Sequence, residues 1–192
     1  MNKASVKTTI EQPKESDYSE ISEMLFDNFD YAQNYAGLTD VQRNTYKAAN
    51  TAEGVRETCQ NPDNIDSFVV KVVNEEGQEV VAGYAVVRGE GPATSVETAE
   101  IRRFHVGRKM ARKGIGQYLL NAAEQSARNV GAQYVEVLSS GESNTWFEKN
   151  GYICVETAKT RRGVFSNVLD LDAPDYHKMR KHLKEEEASD EY

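Results

Sequence analysis

The stretch ARKGIGQYLL, Ala111 to Leu120, sets two glycines two residues apart behind Arg112 and Lys113, and its second half reads as the first turn of a helix. Glycine inside a helix costs about 1 kcal/mol relative to alanine, so a G-x-G here needs a local reason. The first N–H groups of a helix have no intrahelical acceptor, and the helix dipole is positive at that end. With two cations alongside, such a turn is a seat for an anion, a phosphate above all. Two phosphate fingerprints are excluded by the residues themselves. The dinucleotide motif G-x-G-x-x-G needs glycine where Leu119 stands, and a P-loop needs Lys and then Ser or Thr where Gln117 and Tyr118 stand. A plain strand-to-helix turn has the same spacing, so the glycines by themselves fit either reading.

Little other chemistry is written in residue spacing. Cys59 and Cys154 are too few for a disulfide framework and read as free thiols, and neither has a neighbour that would make it a nucleophile. His105, His177 and His182 are scattered, without the ligand spacing of a metal site, so no metal is expected. The formal charge of −8 argues against a nucleic-acid partner, which leaves a basic footprint, and suits a cationic substrate such as an amine. Much of that acid sits in the terminal EEEASDEY. No apolar run approaches the roughly 18 residues of a membrane span. The polar opening MNKASVKTTIEQPKESD lacks the apolar core of a signal peptide, so a cytoplasmic location and no membrane partner are the expectation.

The elements that must position the loop can be read from periodicity. VKTTIEQ alternates as a first strand. SDYSEISEMLFDNF comes next as a helix with Ile21, Met24, Leu25 and Phe29 on one face, Asp17 as its cap and Glu20 three residues on. LTDVQRNTYKAANTAEGVRETCQN reads as a second helical region broken near Gly54. DSFVVKVV, NEEGQE and VVAGYAVV make a strand, a turn and a strand, and TAEIRRFHV a further strand. GIGQYLLNAAEQSARNVG is an amphipathic helix with Ile115, Leu119, Ala123 and Ala127 in a stripe and Gly131 closing it. YVEVLSS is a strand, SNTWFEKNG a short helix, and YICVETA with FSNVLDLD a final strand pair. This order predicts one α/β (α+β) domain over residues 1–184, with a mostly antiparallel sheet, and an acidic tail over 185–192.

AEIRRFHV, GIGQYLL, YVEVLSS and WFEKNGY, in this order and with this gap from Glu100 to Gly114, resemble the GNAT superfamily of N-acetyltransferases. The resemblance implies a central sheet of about seven strands flanked by helices, with strands four and five splayed around acetyl-CoA. The backbone of Phe104, His105 and Val106 would hold the pantetheine arm. The amides of Arg112, Lys113, Gly114, Ile115 and Gly116 would hold the pyrophosphate. Glu100 matches the fourth-strand glutamate that often acts as general base, its alternative being a structural glutamate paired with Arg102 or Arg103. Ser140 falls where the family places an asparagine, and Asn144 lies close by as a second polar candidate for the cofactor.

The departures from the family pattern are equally specific. Ala111 stands where Gln or Arg is preferred, which removes a side-chain contact near the pyrophosphate. Phe147 stands where a tyrosine commonly protonates the leaving thiolate, and phenylalanine has no proton to give. The resemblance implies acetyl transfer to a primary amine through a ternary complex, on a small amine, amino acid or peptide. Its rival is an acyl-CoA-binding module that keeps the fold and has lost the chemistry. Relatives often dimerise through their last strands, so a homodimer is a further expectation.

Overall fold

The computed structural model describes residues 8–31, 39–74, 76–89, 97–140, 143–158 and 176–183. Seven strands form one sheet in the order β1-β2-β3-β4-β5-β7-β6. In chain order the elements are β1 (Thr8–Glu11), α1 (Asp17–Tyr31), α2 (Asp40–Ala49), α3 (Ala52–Cys59), β2 (Asn64–Val73), β3 (Glu79–Gly89) and β4 (Thr98–Val106). A 3-10 turn (Arg108–Met110) leads to α4 (Ile115–Asn129), then β5 (Tyr134–Ser140), α5 (Ser143–Lys149), β6 (Ile153–Ala158) and β7 (Tyr176–His182). All neighbouring strands are antiparallel except β4 and β5, which run parallel with α4 as their crossover. The expected sheet and its flanking helices are therefore present. Among the described residues no helix is long and apolar enough to cross a membrane.

Alternation of side chains along the strands divides the core between two faces. Val69, Tyr84 and Val86 pack under α1 and α3 with Tyr18, Ile21, Met24, Leu25 and Val55. On the other face Val70, Val72, Ala82 and Ala85 meet Ile115 and Leu119 of α4. The same face continues through Ile101, Val135, Val137 and Met179 to Leu120, Ala123, Ala127 and Phe147. The apolar stripes of α1 and α4 read from the sequence are the buried ones. Gly131 closes α4 at φ 78°.

One glycine sets how closely α4 approaches the sheet. A Cβ on Gly83 of β3 would lie 2.8 Å from Leu119 Cδ1 and 2.9 Å from Ile115 Cγ2. Gly83→Val is therefore expected to destabilise the fold by about 1–3 kcal/mol through overpacking. A lower midpoint in urea at unchanged slope would show it, and an unchanged midpoint would contradict it.

Two local expectations need correction, and a third falls outside the described residues. The break in the second helical region lies at Asn50–Thr51 and not at Gly54. Thr51 caps α3 by accepting the Gly54 N–H at 3.2 Å, while Asn50 is buried, donating to Tyr46 O and accepting from Ser22 Oγ at its own carbonyl. Gly54 is inside α3, where a Cβ would come within 2.6 Å of Ala49 O, so glycine permits the tight corner. Among the described residues Asp17 shows no bond forward into α1. Its buried carboxylate accepts the Lys14 N–H and pairs with Lys71 Nζ at 2.7 Å, which ties the start of α1 to β2. Among the described residues β6 pairs with the strand Tyr176–His182, and FSNVLDLD lies outside them. YHKMRKH carries too few apolar residues to announce a strand; only Met179 in it is buried.

Candidate active site

The site begins with a defect in the β3–β4 ladder. Val86 pairs with Arg103 but Val87 pairs with Ile101, so Arg102 is an extra residue that bulges β4. A bulge bends its strand and increases the local twist. The parallel pairing of β4 with β5 ends at the same level, Ile101 opposite Val137. Beyond it β4 stays on β3 as far as Val106, and β5 stays on β7 as far as Ser140. The two strands thus diverge, leaving a wedge between them.

The direction of the peptide groups inside the wedge can be deduced from one hydrogen bond. Gly107 N–H donates to Ala82 O at 2.9 Å, and Gly83 is the register partner of Val106. In an antiparallel ladder the bonded pairs alternate, so the peptide groups of His105 face β3 while those of Phe104 and Val106 face the wedge. Consistent with this, the Val106 carbonyl turns away from β3 and accepts from Asn28 Nδ2 at 3.0 Å. Asn28 Oδ1 in turn accepts the Arg108 N–H at 3.1 Å, which fixes the end of β4 against α1. Nothing in the sequence distinguishes Asn28 from other polar residues of that helix.

The glycine loop closes one end of the wedge. Arg112 has φ 63° and Gly114 φ 84°, so two left-handed residues curl the chain immediately before α4. Alternation of this kind turns successive N–H groups to one side and forms an anion-binding concavity. Gly114 is the N-cap of α4 and supplies no side-chain cap. Ile115 and Gly116, as first-turn residues, have no intrahelical acceptor. Lys113 N–H makes only a long contact, 3.4 Å, with Met110 O. Ala111, Arg112, Lys113 and Gly114 are all exposed. A Cβ on Gly116 would stand 3.3 Å from Trp146 Cζ2 and 3.8 Å from Val106 Cγ2, so the glycine keeps α4, α5 and β4 close together.

The α5 side of the wedge is aromatic with two unmet polar atoms. Trp146 and Phe147 both pack on Phe104, with ring centroids 5.6 Å apart in each case. Phe147 is buried and also touches Tyr152. Ser139 Oγ on β5 and Asn144 Oδ1 on α5 are buried without a hydrogen-bond partner among the described residues. Buried polar atoms are nearly always satisfied, so two orphans beside a wedge suit an elongated polar ligand. Ser140 contributes its backbone to the last rung with Tyr176, and its side chain lies outside the described residues. Ser139, one residue earlier, is not distinguishable in the sequence, where it is one of two adjacent serines.

Glu100 lies on the opposite sheet face, level with Glu136 across the parallel pair. Its side chain is about one-quarter exposed, and Arg102 Nη1 stands 3.4 Å from it, long for a charge-assisted hydrogen bond. Glu136 is held firmly. Burial by itself would raise its pKa, but hydrogen bonds from Lys178 and Arg180 of β7 outweigh that and keep it below the usual carboxylate range. Glu136 is thus a neutralised carboxylate beside an accessible one. Among the described residues no three His, Cys, Asp or Glu side chains converge as a metal site would require.

The family model of the acetyltransferase (GNAT) family matches residues 35–152. Comparison with curated proteins gives no significant match. Among solved structures, the PaiA N-acetyltransferase from Thermoplasma acidophilum in complex with coenzyme A is 14% identical with a TM-score of 0.65, covering 92% of this chain and 99% of that one. An aminoglycoside 6'-acetyltransferase type Ii is 18% identical with a TM-score of 0.60, covering 92% and 98%. The ribosomal-protein-S18-alanine N-acetyltransferase from Escherichia coli is 12% identical, also with a TM-score of 0.60, covering 94% and 98%. At these identities the likeness speaks for the fold, and the family model, which spans more than half of the sequence, speaks for the lineage: the chain belongs to the GNAT family of acetyltransferases.

Proposed function

We propose that the protein transfers an acetyl group from acetyl-CoA to a primary amine, by direct attack within a ternary complex. The observation that carries this reading is the divergence of β4 and β5 beyond Ile101 and Val137, with the glycine loop at one end and Glu100 beside its origin. The peptide groups of Phe104 and the N–H of Val106 meet the pantetheine arm in the manner of an added strand, the Val106 carbonyl being engaged by Asn28. The N–H groups of Arg112 to Gly116 receive the pyrophosphate, with the guanidinium of Arg112 and the ammonium of Lys113 adding charge in place of the side chain that Ala111 lacks. Asn144 Oδ1 and Ser139 Oγ, buried without a hydrogen-bond partner among the described residues, are the side-chain groups left to meet the arm's amides and hydroxyl.

Acetyl-CoA supplies an activated acyl carbon; the amine nitrogen bonds to it as the carbon–sulfur bond breaks. A protonated amine has no lone pair to attack with, so Glu100 takes its proton, directly or through water. Neither cysteine lies on the strands or the loop that frame the wedge: Cys59 ends α3 against the Tyr84 hydroxyl, and Cys154, although 3.4 Å from His177 Nδ1, lies on β6, separated from β5 by β7. Phe147 favours a second reading, a domain that binds acyl-CoA without turning it over, because it leaves a buried phenyl ring where a phenol would protonate the thiolate.

Thiol release from acetyl-CoA in the presence of amines, amino acids and peptides separates the two. Trp146 is the chain's single tryptophan and lies against Gly116, so its fluorescence reports occupancy of the wedge independently of turnover. The expected result is a saturable change in Trp146 emission with acetyl-CoA and thiol release with at least one class of acceptor. Saturable binding with no release on any acceptor would establish the binding module instead.

A further inference from the structure

Arg103 lies just past the β4 bulge and shares a sheet face with Glu100. Its ladder partner is Val86, which packs under α1 and α3, while the partner of Glu100 is Arg88 on that same side of β3. Every other arginine on a described strand has a carboxylate within reach. Arg88 pairs with Asp63, Arg102 with Glu100, and Arg180 with Glu136. Lys178 is likewise engaged with Glu136. Arg103 has no ion pair and no hydrogen bond among the described residues, although it is half-buried. Tyr84, buried two residues before Val86, lies on this same side of β3. A partly desolvated guanidinium without a counter-charge is uncommon, because arginine's fork of donors is readily satisfied by a carboxylate.

We infer that Arg103 anchors a carboxylate on the acceptor, so the preferred acceptor is an amino acid and not a simple amine. This rests on the acetyl-transfer reading above. Arg103 stands two ladder steps from Glu100 with the bulge between them, about 7–10 Å along the strand. Long side chains converging from those positions span a molecule with an amine at one end and a carboxylate at the other. Glu100 meets the ammonium, Arg103 the carboxylate, and the order along β4 sets the direction in which the acceptor lies. Arg102, already engaged with Glu100, is not available for the same task.

The test measures kcat/KM for a panel of amino acids against their own carboxamides, with acetyl-CoA saturating. The wild-type protein should prefer the acid by about ten- to a hundredfold, the range of a charge-assisted pair. Arg103→Gln should bring the acid-to-amide ratio to within about twofold of unity, mainly through KM of the acid. Arg103→Lys, which keeps the charge and loses the fork, should fall between, and decides the matter should the glutamine variant fold poorly. A wild-type ratio near one, or a high ratio that survives both substitutions, overturns the assignment while leaving acetyl transfer in place. Absence of turnover with every acid and every amide defeats acetyl transfer and this assignment together.

Discussion

Glu100→Gln should lower kcat by about a hundred- to a thousandfold while the KM for acetyl-CoA changes by less than about twofold. The substitution keeps the shape of the side chain and its contact with Arg102, and removes only the ability to take a proton. Glu100 projects from the face of β4 opposite Ile101, whereas the groups assigned to the cofactor lie on the glycine loop, on α5 and on the wedge-facing peptides of Phe104 and Val106. The loss should therefore appear in turnover and not in cofactor binding. It should also shrink as pH rises and the free amine becomes abundant without help. A pH–rate profile of the variant should climb towards the wild-type rate at alkaline pH. Equal loss at every pH would make Glu100 a positioning residue, and an unchanged kcat would remove it from the mechanism. Glu136 serves as the control position. It lies level with Glu100, but Lys178 and Arg180 consume its charge, so Glu136→Gln should cost stability through those two unpaired cations before it costs turnover.

The parts of this site that sequence made legible are those fixed by short-range physics. The stripe Ile115, Leu119, Ala123 and Ala127 betrays α4 because an amphipathic helix needs that period, and Gly114 and Gly116 mark its start because side chains there meet strain or Trp146. Glu100 and the loop are paired through the resemblance, by their separation along the chain. The bulge at Arg102 could not be read, since it arises from a mismatch between two strands and neither strand carries it alone. Among the described residues, Ser139 and Asn144 acquire meaning only as buried atoms without partners, and Arg103 only because the other strand arginines find carboxylates there and it does not. The strand Tyr176–His182 is polar because its charges answer Glu136 and Glu124 on other elements. Its pattern is set by tertiary partners, so alternation along YHKMRKH had nothing to show.

Gly116→Val should abolish measurable acetyl-CoA binding while the protein still folds. At this position φ is ordinary, so the demand for glycine comes from space and not from backbone strain. A Cβ already presses on Trp146 at 3.3 Å and stands 3.8 Å from Val106 Cγ2, so the two further methyl groups of valine have no free space on that side. The overpacking costs about 1–3 kcal/mol of stability. Binding should suffer more on the proposed reading, because displacing Trp146 and Val106 shifts the first turn of α4 and its amides, and each charge-assisted hydrogen bond forgone is worth about 1.5–3 kcal/mol. Loss of two such bonds amounts to at least about a hundredfold in Kd. Gly131→Ala provides the comparison. Gly131 lies at φ 78° with nothing within 4 Å, so alanine there strains the end of α4 without touching the loop. The two variants should therefore lose similar stability, and only Gly116→Val should lose the acetyl-CoA-dependent change in Trp146 emission. If Gly116→Val bound acetyl-CoA as the wild type does, the first turn of α4 would not be the cofactor's seat. The glycine would then serve only to let Trp146 lie against the helix.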